Sequence, residues 1–148
     1  MDRWGATSFA SENFAHELGT AARTPSGDLT AQAIAHAYSA MGKAVEAALA
    51  KGSLVVAVGS FRSERQRQAF REIASNAGAR ATTLRIVATS GTAAQRIVTR
   101  GEPGPTEEGI RLIEAALDQA ADFDTVLVND ASIDDLRRKA DALLQSLA

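Results

Sequence analysis

The run Leu54-Val55-Val56-Ala57-Val58 constrains this chain most. Consecutive apolar residues bounded by Gly52 and Gly59 leave no polar side for water. That is the pattern of a strand in a parallel sheet, covered by helices on both faces. The flanking sequence supplies such helices. Upstream, residues 29–51 place Ile34, Tyr38, Met41, Val45, Ala48 and Leu49 at three- and four-residue steps, which predicts a long helix ended by Gly52. Gly42 inside it costs about 1 kcal/mol relative to alanine, so close packing against a neighbour is expected there. Downstream, Gly59-Ser60-Phe61 turns the chain and Ser63 caps a helix over about 64–77, stopped by Gly78.

The same alternation extends both ways. Thr7-Ser8-Phe9-Ala10 predicts a short strand, Ser11 an N-cap, and residues 12–18 a helix closed by Gly19. Residues 20–28, with Pro25, Ser26 and Gly27, read as a loop. The β-branched stretch 82–87 predicts another strand, and Thr89-Ser90-Gly91 opens a helix to about residue 99, stopped by Gly101 and Pro103. Pro105-Thr106-Glu107-Glu108 starts the next helix, with Thr106 as cap and acids in the first turn. Thr125-Val126-Leu127-Val128 is a fourth strand, and Ser132 caps a last helix with Ile133, Leu136, Ala140, Leu143 and Leu147 inside. Strands separated by helices mean βαβ units. The expected class is α/β, a mostly parallel sheet flanked by helices, in a single domain over the 148 residues.

Several function classes are disfavoured. No apolar run reaches the ~20 residues of a membrane span, and Met1-Asp2-Arg3-Trp4-Gly5 lacks a signal-peptide pattern, so a cytoplasmic location is expected. The absence of cysteine removes disulfides, thiolate metal sites and a thiol nucleophile. An aromatic share of 5% and a net charge of −2 argue against a nucleic-acid partner. The net charge hides an asymmetry. Residues 62–100 carry eight arginines against Glu64 and Glu72, net +6, whereas residues 101–148 carry four basic and eleven acidic side chains, net −7. Such blocks can neutralise each other across a fold, or the basic one can bind anions.

In parallel sheets, ligands sit at the carboxyl ends of the strands. The turn Gly59 to Arg67 offers backbone donors, the Ser60 hydroxyl, and Arg62, Arg65 and Arg67 for an anion; it can equally be an ordinary turn into a basic helix. Arg96 and Arg100, one helical turn apart, share a face that suits a phosphate chain or simply a helix C-terminus. Glu12, His16 and Glu17 follow the first strand and could supply acid–base groups or an ordinary polar surface. His16 and His36 show no metal-binding spacing, Ser60 has no GxSxG elbow, and Asn129-Asp130 reads as a turn.

These positions resemble the P-loop kinase superfamily, in particular the small AAA-type predicted kinases that include zeta-toxin-like phosphotransferases. There a helix ending in glycine feeds a buried strand of the form V-V-x-D-A-T-F, with an arginine six residues later. Here Ala48-Leu49-Ala50-Lys51-Gly52 leads to Val55-Val56-Ala57-Val58-Gly59-Ser60-Phe61, and Arg67 stands at that offset. Ala74 to Gly78, Leu84 to Val87, and Arg96 with Arg100 follow the order of the family's next helix, strand and R-x-x-x-R lid. Ser11-Glu12-Asn13-Phe14-Ala15-His16-Glu17-Leu18-Gly19 is similar to its S-D-x-x-R-x-x-L-G substrate segment. Residues 123–132 are similar to the closing strand of guanylate-kinase-like members. The resemblance implies ATP and Mg²⁺, and transfer of a phosphoryl group to a small molecule or nucleotide. Arg67 and Ser60 would then bind phosphate, Arg96 and Arg100 would form the lid, and Glu12 and His16 would face the acceptor.

The departures are equally specific. No Gly-Lys-Ser/Thr occurs, so the G-x-x-x-x-G-K-[S/T] phosphate loop is absent from this sequence. The family's acid after the second strand is Val58, its substrate-segment aspartate is Glu12, and that segment's arginine is Ala15. The sequence therefore reads as N-terminally incomplete relative to the family, without the phosphate-loop strand and without transfer activity of its own. One explanation is a longer gene product. Another is a reduced relative whose four strands close into a compact sheet. A third is a homo-oligomer or partner that supplies the missing strand. The alternative function is a non-catalytic relic of the fold, whose basic segment 62–100 docks an acidic protein or a phosphorylated ligand.

Overall fold

The computed structural model describes residues 4–101 and 106–147. Met1, Asp2, Arg3, Pro103 and Pro105, used above, lie outside the described residues. The elements are β1 (Thr7–Ala10), α1 (Ser11–His16), a 3₁₀ turn (Gly19–Ala22), α2 (Ala31–Ala50), β2 (Val55–Val58), α3 (Glu64–Asn76), β3 (Leu84–Val87), α4 (Ser90–Arg100), α5 (Glu107–Asp118), β4 (Thr125–Val128) and α6 (Ile133–Leu147). The alternation and the α/β class agree with the sequence. Local signals set most ends. Ser63 forms a reciprocal capping box with Gln66, and the hydroxyls of Thr30, Thr106 and Ser132 accept backbone N–H groups three residues on. Gly52, at φ 77°, ends α2 with its N–H on the Leu49 carbonyl while Ser53 N–H bonds the Ala48 carbonyl, a pairing that needs a left-handed residue.

Ser11 differs from its expected role. The N-cap of α1 is Ala10, without a side-chain bond, and Ser11 is already helical. Its hydroxyl lies beside Gly59, 2.7 Å from where a Cβ on that glycine would stand.

The chain divides into two compact units. The first comprises residues 4–81 and 106–120. In it β1 and β2 pair in parallel, Thr7 opposite Val55 and Ala10 opposite Val58. Helix α2 packs against both strands and against α1 and α3. The buried row of α2 is Ala33, Ala37, Met41 and Val45, with Gly42 beside it. Met41 and Val45 are buried as their spacing predicts, whereas Ile34, Tyr38, Ala48 and Leu49 are half-buried and Ala33 and Ala37 lie inside, because small side chains let neighbouring elements approach the helix axis. A Cβ on Gly42 would come 3.2 Å from Ile73 Cδ1 of α3, the close packing expected there. The loop 20–28 is tied down: Arg23 and Leu29 form a backbone bridge, and Asp28 Oδ1 accepts the Thr106 N–H at 2.9 Å at the start of α5.

The second unit comprises residues 82–101 and 121–147. Here β3 and β4 pair in parallel, Leu84 opposite Thr125 and Val87 opposite Val128, and α6 packs on β4. The Asp124 carboxylate accepts the Thr83 N–H at 2.6 Å, and Lys139 Nζ donates to the Val128 carbonyl at 2.9 Å. None of the described side chains of this unit is buried.

The four described strands pair two and two, so the compact four-stranded sheet expected of a reduced relative does not form among the described residues. The apolar run of β2 is correspondingly less covered than its sequence demands. Leu54 and Val58 are 51% and 53% exposed, and Val55 to Ala57 are half-buried. A strand paired on one edge only cannot be enclosed as one inside a larger sheet is.

Candidate functional site

The register of the first unit sets Ala10 opposite Val58, so Ser11 and Gly59 leave parallel strand ends side by side. Gly59 is the close-approach point. A Cβ there would lie 2.6 Å from Tyr38 Oη and 2.7 Å from Ser11 Oγ. A side chain there would require both hydroxyls to move. Tyr38, from the middle of α2, accepts the Phe61 N–H at 2.8 Å and reaches Ser60 Oγ at 3.5 Å.

Phe61 holds a left-handed backbone, φ 41°, unusual for a bulky residue. Its surroundings enforce it. Arg67 Nη1 donates to its carbonyl at 2.6 Å, and its ring stands edge-on to Tyr38 and Phe70, each with centroids 5.0 Å away. Arg67 is 4% exposed and comes from the second turn of α3. The turn after β2 is thus built around a buried arginine, with the exposed Ser60 at its tip.

The other candidates of this unit follow β1. Glu12 Oε1 lies 3.9 Å from His16 Nε2 and 3.6 Å from Arg23 Nη2. Arg23 Nη1 donates to the Gly27 carbonyl at 2.6 Å. Glu17 pairs with His36 of α2 at 3.6 Å. The Thr106 backbone N–H, followed by the Thr106 and Ser26 hydroxyls, holds the Asp28 carboxyl below its usual value. Ser60, Arg67, Glu12 and His16 therefore share one unit, on the segments that leave β1 and β2.

Arg96 and Arg100 lie on α4 of the second unit, after β3. Arg96 Nη1 donates to the Asn129 carbonyl at 2.9 Å and Nη2 to the Ala131 carbonyl at 3.5 Å. Asp130, in a bend after β4, accepts the Thr89 N–H at 2.9 Å and so braces the entry to α4. Arg100 is exposed.

The donor set has a defined chemistry. Hydroxyls and guanidinium groups suit phosphate oxygens. Mg²⁺ takes oxygen ligands, commonly one or two carboxylates beside substrate phosphates and water, and β2 ends in Val58 rather than in an acid. Among the described residues no three His, Cys, Asp or Glu side chains gather as a metal group. No described helix is long and apolar enough to cross a membrane.

Sequence reading missed Tyr38, whose helical spacing marked it only as apolar core, and Arg23 and Asp28, which it left in a loop. The partners of Tyr38 and Asp28, Phe61 and Thr106, lie far along the chain, and no local pattern signals them. An offset of six residues did single out Arg67, but its burial was not visible there.

No curated protein matches this chain. The profile of an AAA domain matches residues 8–126, which take in β1 to α5 and the start of β4. With parallel strand pairs flanked by helices, and with that match over most of its length, the chain belongs to this AAA-domain family and carries its P-loop kinase-like, nucleotide-binding fold.

Proposed function

We propose that this chain is an ATP-binding, kinase-like protein related to phosphotransferases of small molecules or nucleotides, and that it transfers no phosphoryl group by itself. The observation that carries the reading is the turn after β2: a family match runs through it, and it presents Ser60 on a rigid base of Phe61, Tyr38 and Arg67. Ser60 hydrogen-bonds a phosphate oxygen. Arg67 adds its charge to that turn while fixing its backbone. In the second unit Arg100, with Arg96, contacts nucleotide phosphates. Glu12, with His16 one helical turn on, orients the hydroxyl of an acceptor. The absence of the G-x-x-x-x-G-K-[S/T] loop from this sequence removes the backbone cradle and the lysine that neutralise charge during transfer.

A second reading has its own support. Arg67 and Arg96 both direct guanidinium donors to backbone carbonyls, as structural arginines do. That favours a non-catalytic relic whose remaining basic surface binds an anion or an acidic protein. Calorimetric titration of the purified chain with ATP separates the two. The kinase-like reading expects saturable binding, weakened by Ser60→Ala and by Arg100→Ala. Absence of nucleotide binding refutes it in favour of the relic. Measurable Mg²⁺-dependent ATP turnover refutes the expectation of inactivity.

A further inference from the structure

We infer that Tyr38 is a positioning residue that turns Ser60 into a directed hydrogen-bond donor for an acceptor-only anion, a phosphate group. The inference rests on the reading of Ser60 as a phosphate ligand and adds what makes it one. A phenol hydroxyl has one proton to give and lone pairs to accept. The Phe61 N–H can only donate, and it sits 2.8 Å from Tyr38 Oη. Tyr38 Oη is therefore the acceptor in that contact, and its own proton remains free. Ser60 Oγ, 3.5 Å away, is a hydroxyl within its reach; either oxygen can donate across that contact, and we take Tyr38 as the donor. Once Ser60 accepts from Tyr38, its proton points away from the phenol. The order is Phe61 N–H to Tyr38 Oη–H to Ser60 Oγ–H to ligand. Bonds aligned in one sense polarise each other, so the last proton is the best donor of the series.

The surrounding structure holds this relay in place. Phe70 and Phe61 clamp the Tyr38 ring edge-on, with centroids 6.3 and 5.0 Å away. Arg67 fixes the Phe61 carbonyl, which keeps the Phe61 backbone at its φ of 41°. The missing side chain of Gly59 leaves Tyr38 Oη room, since a Cβ would lie 2.6 Å from it. A terminal donor on an exposed serine matches a ligand that only accepts. Phosphate oxygens do so, whereas a sugar hydroxyl does not discriminate.

Tyr38 is the only tyrosine in the chain, so 3-fluorotyrosine supplied in growth labels this position alone. The labelled protein is titrated with inorganic phosphate while its fluorine resonance and its phosphate affinity are followed, with Ser60→Ala alongside. The expected result is a resonance shift that saturates with phosphate and vanishes in Ser60→Ala. That variant should bind phosphate about tenfold more weakly, the loss of one charge-assisted bond. If Ser60→Ala weakens phosphate but the wild-type resonance does not move, or if the shift survives in Ser60→Ala, the relay is wrong and the phosphate site stands. If phosphate does not bind, or binds equally well to Ser60→Ala, the phosphate reading of Ser60 falls and the relay with it. A Tyr38 acting only in packing would leave the resonance still.

Discussion

Gly59→Ala is the most demanding test of the turn after β2. Its new methyl would sit 2.6 Å from Tyr38 Oη and 2.7 Å from Ser11 Oγ, where real Cβ contacts stay above 3.0 Å. Both hydroxyls must retreat. Forcing one carbon into a filled space costs about 1–3 kcal/mol. Displacing Tyr38 Oη also weakens its bond from the Phe61 N–H, worth about 1 kcal/mol. The expected loss is about 2–4 kcal/mol. Tyr38→Phe alone should cost about 1 kcal/mol, because it strands that N–H without removing the ring. The double variant is the decisive case. With the phenol oxygen gone, one of the two clashes is relieved, so the losses should fall short of additive by about 1 kcal/mol. The assay is urea unfolding followed by fluorescence of Trp4, the only tryptophan, which lies in the same unit. Strict additivity, or a Gly59→Ala protein as stable as the parent, would refute the packing argued for this turn.

Asp28 makes an acid-sensitive link. Its folded pKa is lowered, chiefly by the Thr106 N–H, so its stabilisation is present above the unfolded value of 3.8 and lost as pH falls through the folded value below it. Urea midpoints between pH 6 and about 2 should therefore fall more steeply for the parent than for Asp28→Asn; parallel curves would contradict the link. Hydrogen exchange should show slow amides in α2, around Met41 at 0% exposure, and faster ones in β3, β4 and α6, where no described side chain is buried. Equal protection across the two units would overturn that contrast.

Helix ends were legible in the sequence because their chemistry is local. Ser63 with Gln66, Thr106 with Gly109, and Ser132 with Asp135 act over three residues, so residue type and spacing suffice. Strand runs and their alternation with helices were legible for the same reason, and with them the α/β class and the family. Ser11 is not the cap that a small hydroxyl at a helix start suggests: it is already helical, and Ala10 takes the cap position. The inner face of α2 was legible in part: Met41, Val45 and the close approach at Gly42 stand as read, while Ala33 and Ala37 were passed over because side-chain size was read as burial.

What the sequence determined by itself, then, is the set of elements, their order and their caps. The run Leu54 to Val58 demands cover on both faces, and nothing in it says how many strands will provide it. Tertiary structure alone decided that the strands pair two and two, and that Arg67 is buried under its own turn. It alone set Tyr38 against Phe61 across 23 residues and Asp28 against Thr106 across 78. Such contacts depend on which surfaces meet once the chain has closed its loops, and no short stretch of residues encodes that meeting.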